Sequence, residues 1–222
     1  MTTQGAEHVR VDYSTNNEVS VGMEKMKLNF LTFFFTVILI ALLDSPFDAV
    51  SDDTDDEPFE MVLEVLGALY FFLLRPVFEY SADMIFVKGV RDEKPQVGEI
   101  FEGFKKYKNV VLANLLVVAL VALSLIFFIV PGIYVGCRLA FVSYLVMDKD
   151  MSAQEAVEKS WQLTENRAGK IFVLGLGAVV ISILGFMCLI IGIIPAIMWI
   201  KSYFAAYYQM TLNEYGSADQ EN

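Results

Sequence analysis

Arg75, Glu79, Asp83, Arg138 and Lys201 are charged side chains that fall inside otherwise apolar stretches of this 222-residue sequence. The first three are spaced four residues apart, which sets them on one face of a helix. A charge at the centre of a bilayer costs about 2.5–3.5 kcal/mol on insertion scales, so such groups should face a bundle interior and find partners. Two functional chemistries fit: a proton or ion relay, and a polar cavity for a lipid headgroup. The plain structural reading is an ion pair of Arg75 with Glu79 that fixes packing, because one helix supplies both partners at i and i+4. Arg138 and Lys201 have no such partner close in sequence. They either snorkel outward or reach Glu79 across the bundle. If all three bases converge, they make a site for an anionic group such as a phosphate.

Composition says what must hold these side chains. Hydrophobic residues make up 56% of the chain, charged residues only 19%, and the mean hydropathy is +0.52. Soluble domains carry roughly 25% charged residues, and disorder requires low hydrophobicity, so both classes are excluded. The net charge of −11 argues against a nucleic-acid partner, which calls for a basic patch. The single histidine, His8, lies in the polar N-terminal stretch, and the two cysteines, Cys137 and Cys188, imply no disulfide framework. No nucleotide, hydrolase or metalloprotease motif is present. The expectation is therefore no catalytic residue, no metal site and no cofactor: a chain that is not an enzyme.

A membrane helix needs roughly 20 mostly apolar residues. Six segments read as spans: 28–43, 61–87, 110–130, 133–147, 171–191 and 196–212. Basic residues mark the cytoplasmic side. Arg10, Lys25 and Lys27 precede the first span; Lys88, Arg91, Lys94, Lys105, Lys106 and Lys108 follow the second; Lys149, Lys159, Arg167 and Lys170 follow the fourth. The three intervening segments hold none. Alternating crossings then place both termini in the cytoplasm, and the prokaryotic inner membrane is the expected location. The external segment 44–60 carries eight acids and lacks the glycine and spacing of a calcium-binding loop, so it reads as a solvated acidic loop.

The intramembrane bases recur at a fixed interval of 63 residues, each as base-x-x-Phe: Arg75 with Phe78, Arg138 with Phe141, Lys201 with Phe204. Ser81, Tyr144 and Tyr207 share the next register. The expected architecture is an all-α, polytopic bundle of six transmembrane helices, built as three related hairpins. Two short helices should lie in the cytoplasmic interface. Segment 95–107 places Val97, Ile100, Phe101 and Phe104 at helical spacing, and 152–163 opens with a Ser152/Glu155 capping box. The transmembrane domain would run from 21 to 214, between flexible polar tails at 1–20 and 215–222. In the fifth span Gly175, Ala178, Ser182, Gly185 and Gly192 form a stripe of small residues, read as a helix-packing face.

The run Ile129–Asp148, with Glu155–Thr164 after it, resembles the glycerophosphoryl diester phosphodiesterase membrane-domain family and related bacterial six-helix membrane proteins. Pro131, Gly132, Arg138, Phe141, Asp148, Glu155, Ala156, Ser160 and Leu163 carry the resemblance, which covers roughly 65–212. In that family the phosphodiesterase belongs to a separate soluble domain, for which this chain has no room. The resemblance therefore implies a membrane module without the catalytic part. The expected function is a scaffold or accessory subunit that binds membrane lipids, another membrane protein or a second copy of itself. The alternative is a carrier or lipid-handling protein that uses the polar cluster.

The charge asymmetry makes a direct prediction. A reporter fused to the C-terminus reads cytoplasmic, and one inserted in the acidic 44–60 segment reads external. A C-terminal reporter found outside would overturn the orientation.

Overall fold

The computed structural model describes residues 18–44, 57–187 and 192–218, so most of the acidic segment, Cys188 and the outer parts of both tails lie outside the described residues. The described residues are helical: α1 (Glu18–Leu28), α2 (Phe30–Asp44), α3 (Glu57–Leu69), α4 (Arg75–Val90), α5 (Tyr107–Phe127), α6 (Ile129–Arg138), α7 (Val142–Asp148), α8 (Ala153–Leu163), α9 (Ala168–Met187) and α10 (Ile193–Ala218). A π-helical turn, Tyr70–Leu74, joins α3 to α4, and a 3-10 helix, Val97–Lys106, leads into α5.

Among the described residues four helices are long and apolar enough to cross a membrane: Met61–Val90, Val97–Ile126, Ile129–Asp148 and Ala168–Met187. A fifth arises if α1 and α2, bent by 94° at Asn29, count as one span. This helix set is that of a membrane protein. The segment read as a sixth span lies in α10, which has the length, 26 residues, but not the apolarity. The reason is its place in the bundle. Tyr203, Ala205, Ala206, Tyr207 and Tyr208 are all at most 2% exposed. A helix surrounded by other helices meets little lipid, so it can carry serine, tyrosine and lysine where a lipid-facing helix cannot.

The outer faces show the opposite chemistry. Leu123, Ile126, Val173, Leu176, Ile183 and Phe186 are more than half exposed, a distribution suited to hydrocarbon rather than water.

Prolines set the helix starts. Pro131 and Gly132 do not form the turn between α5 and α6; that reversal is made at Phe128, whose backbone is extended. Pro131 falls in the first turn of α6 and Pro195 in the first turn of α10, where a missing N–H costs nothing. Chain reversals on the other side use a left-handed residue at Asp92, Asp150 and Asn166, the types that tolerate it best after glycine.

The short segment after α4 departs from the α-helical pattern read in the sequence. It is a 3-10 helix, with three residues per turn. Ile100 and Gly103, three apart, are therefore buried together, while Phe101 and Phe104 turn outward, and both ring edges pack on Phe78. Its start lies at Gln96, whose N–H meets the Glu99 carboxylate at 3.3 Å, so Pro95 stands just outside it. Helix α8 begins with a reciprocal Ser152/Glu155 box. Hydrogen bonds from the Ser152 hydroxyl and backbone N–H hold the Glu155 carboxyl below the ordinary glutamate value.

The short helices dock by one packing device used three times. Gly22 of α1 lies so close to Tyr203 of α10 that an added Cβ would sit 2.7 Å from its Cα. Gly103 lies equally close to Val77 and Ser81 of α4, and its N–H donates to Ser81 Oγ at 2.8 Å. Ser160 of α8 donates to the Arg138 carbonyl and accepts from the Phe141 N–H, between α6 and α7. Each small residue meets the stretch that follows, or includes, one of the three bases. The first short helix meets the last long one, so the arrangement closes on itself.

Gly103→Ala should therefore cost about 2 kcal/mol, the scale of an overpacked contact. Gly98→Ala, five residues earlier with open space around it, should leave thermal stability in detergent unchanged. Equal melting temperatures for the two variants would remove Gly103 from the docking argument.

Candidate functional site

The five charged side chains fall into three sets of contacts. Arg75 pairs with Glu79 at 3.1 Å along α4, and its guanidinium lies over the Phe71 ring at 4.8 Å. Asp83, one turn further on, reaches across the bundle. Its Oδ1 accepts from Lys201 Nζ of α10 at 2.6 Å and its Oδ2 from Ser143 Oγ of α7 at 2.9 Å. One carboxylate thus joins three helices.

Arg138 does not join the other bases. It is 5% exposed, and its guanidinium lies 4.6 Å from the Trp161 ring and 5.9 Å from the Tyr134 ring. Cation–π attraction replaces a carboxylate there, and it strengthens on desolvation. Its Nε has no hydrogen-bond partner among the described residues. The expectation that three bases converge on one anion is corrected by this geometry. Arg138 ends α6 just before the break at 139–141, and docking of α8 at that break puts Trp161 against it.

Around the Asp83–Lys201 pair lies an open cavity of about 590 Å³ between α7, α9 and α10. Asp83, Ser143, Tyr144 and Lys201 contribute its polar groups; Ala140, Ala178, Ile197, Ile200 and Phe204 are apolar walls. Val179, Ser182 and Ile183 of α9 form the exposed rim, so the opening is sideways, on an apolar helix face. A second cleft of about 210 Å³ reaches Asp83 from the α5 side and is also lined by Glu79, Tyr80 and Asn114. Asp83 and Ser143 belong to both.

The small-residue stripe of α9 is divided between two roles. Gly185 packs tightly on Gly192 and Ala196 at the start of α10. Ala178 and Ser182 line the cavity instead, and nothing lies within 4 Å of a Cβ built on Gly175. Small side chains here leave space rather than closing it.

Sequence spacing missed Ser143 and Asn114. Asn114 had a visible signal, as the one polar residue in the middle of an apolar run. Ser143 had none, because only the crossing of α4 and α7 makes it a partner of Asp83. A node of charged side chains beyond the end of α4 was missed as well. Arg91 grips Asp148 with two hydrogen bonds and meets Gln209 at 2.6 Å, while Tyr208 donates to Asp148 at 3.0 Å. Burial works against the Arg91 charge, but the hydrogen bond and charge of Asp148 outweigh it and raise its pKa.

The Asp83–Lys201 pair predicts a non-additive double mutant. Lys201→Met leaves a carboxylate without its counter-charge and should cost about 3 kcal/mol. Adding Asp83→Asn should restore most of that loss, since replacing both partners leaves no stranded charge. Additive losses in detergent melting would show that the pair does not couple.

No protein-family model matches this chain, and no curated protein or solved structure matches it either. The resemblance carried by 129–164 thus rests on those residues alone, and the cavity stands as the feature from which function is argued.

Proposed function

We propose that this chain is a non-catalytic integral membrane module that holds a membrane lipid in the lateral cavity between α7, α9 and α10. One observation carries the reading: a cavity of about 590 Å³ with apolar walls, a paired polar floor and an opening on the side of the bundle. Its volume is within the roughly 300–1,000 Å³ of ligand sites, which are apolar with a few placed polar groups. An amphiphile matches that division, with its head on the floor and its chains leaving past Val179 and Ile183 into the bilayer.

The charges favour holding over transport. A carrier with a hydrated centre needs polar groups free to exchange partners, whereas Arg75, Asp83 and Lys201 are paired across short distances. In this reading the bundle crosses the membrane six times as three related hairpins, with both termini cytoplasmic. The shared base-x-x-Phe spacing and the repeated small-residue docking support the hairpins, and the one-sided distribution of lysine and arginine supports the orientation.

Native mass spectrometry after mild extraction tests the reading. The wild-type chain should retain one phospholipid, and Ala178→Trp, which fills the cavity, should reduce that occupancy by about tenfold, equivalent to 1.4 kcal/mol. An unchanged occupancy in Ala178→Trp would move the lipid elsewhere. No retained lipid together with a stoichiometric protein partner would replace this reading with that of a scaffold.

A further inference from the structure

We infer that the headgroup seated on the Asp83–Lys201 floor is zwitterionic, a phosphate and an ammonium on one phospholipid. This rests on the lipid-holding reading and adds the chemistry of selection. The valences of the floor argue it. A lysine ammonium has three N–H donors, and among the described residues Lys201 uses one, towards Asp83 Oδ1. Asp83 accepts one hydrogen bond on each oxygen, from Lys201 and from Ser143, and each carboxylate oxygen has a second lone-pair site. Two donors and two acceptor sites therefore remain, side by side, on groups that line the cavity. Ser182 at the rim adds a hydroxyl.

Charge balance decides the class. Lys201 and Asp83 cancel, and Arg75 and Glu79 on the preceding turns cancel as well. Arg138, the remaining base of the spans, is turned away against Trp161. An anionic head would meet Lys201 but bring an uncompensated charge beside Asp83 and Glu79. A cationic head would meet Asp83 and be repelled by Lys201. A head carrying both signs satisfies the two spare donors with phosphate oxygens and the spare carboxylate sites with its ammonium. It adds no net charge to a site where unpaired charge is costly.

The test uses the full chain in nanodiscs holding equal amounts of phosphatidylethanolamine and phosphatidylglycerol, with retained lipid identified by native mass spectrometry. Wild type should keep phosphatidylethanolamine over phosphatidylglycerol by about tenfold, the worth of one hydrogen bond to a charged group. Asp83→Asn leaves Lys201 uncompensated, and the preference should invert towards phosphatidylglycerol. The double variant Asp83→Asn/Lys201→Met has a neutral floor and should show no preference, which keeps the inference testable if the single variant fails to fold. Wild-type retention of both lipids equally, or of phosphatidylglycerol first, overturns the headgroup assignment and leaves lipid holding intact. Absence of any cavity-dependent lipid, judged against Ala178→Trp, overturns both.

Discussion

A carboxylate cannot be left alone in a low-dielectric interior, and Asp83 turns that constraint into architecture. Each of its two oxygens accepts one hydrogen bond, from Lys201 on α10 and from Ser143 on α7. The position of three helices is thus tied to one side chain. Beside that contact, α9 presents the small residues Ala178 and Ser182, which leave volume open. The Asp83–Lys201 contact is the polar floor of that cavity.

A second layer of order comes from close backbone approach. Lipid tails are as apolar as leucine, so burial of apolar surface does little to hold helices together in a bilayer; packing and hydrogen bonds must do it. Gly22, Gly103 and Ser160 supply both, letting each short helix lie directly on a long one. Charged pairs finish the end of the bundle that is rich in basic residues, where Lys25 to Asp92, Lys88 to Glu99 and Arg91 to Asp148 each join different elements. Lipid cannot solvate these groups, and their clustering at one end follows the clustering of basic residues there.

Arg138 shows how the same constraint admits a different solution. It shares its spacing with Arg75 and Lys201, yet among the described residues its guanidinium meets aromatic rings and not a carboxylate. Two aromatic faces shelter its charge. Equal spacing along the chain did not give the three bases equal places: Arg75 opens α4, Arg138 closes α6 and Lys201 lies inside α10, and the neighbours that dock there differ. One base is paired within its own helix, one across the bundle and one with aromatic rings.

The sequence by itself determined that this is a helical membrane protein, and it located most of the long apolar helices, because hydropathy is a sum over neighbours in the chain. It also marked Arg75 with Glu79, a pair set by helical period alone. It did not determine that α10 would be the central, tyrosine-rich helix, nor that Val97–Lys106 would wind with three residues per turn, since both depend on what lies beside them. The partners of Asp83 and Arg138 were equally out of reach: Ser143 and Trp161 become neighbours only where helices cross. Tertiary structure alone decided that Arg138 turns to aromatic rings while Lys201 reaches Asp83, and that the small residues of α9 border a cavity, because a gap is a property of surfaces that meet and not of any one segment.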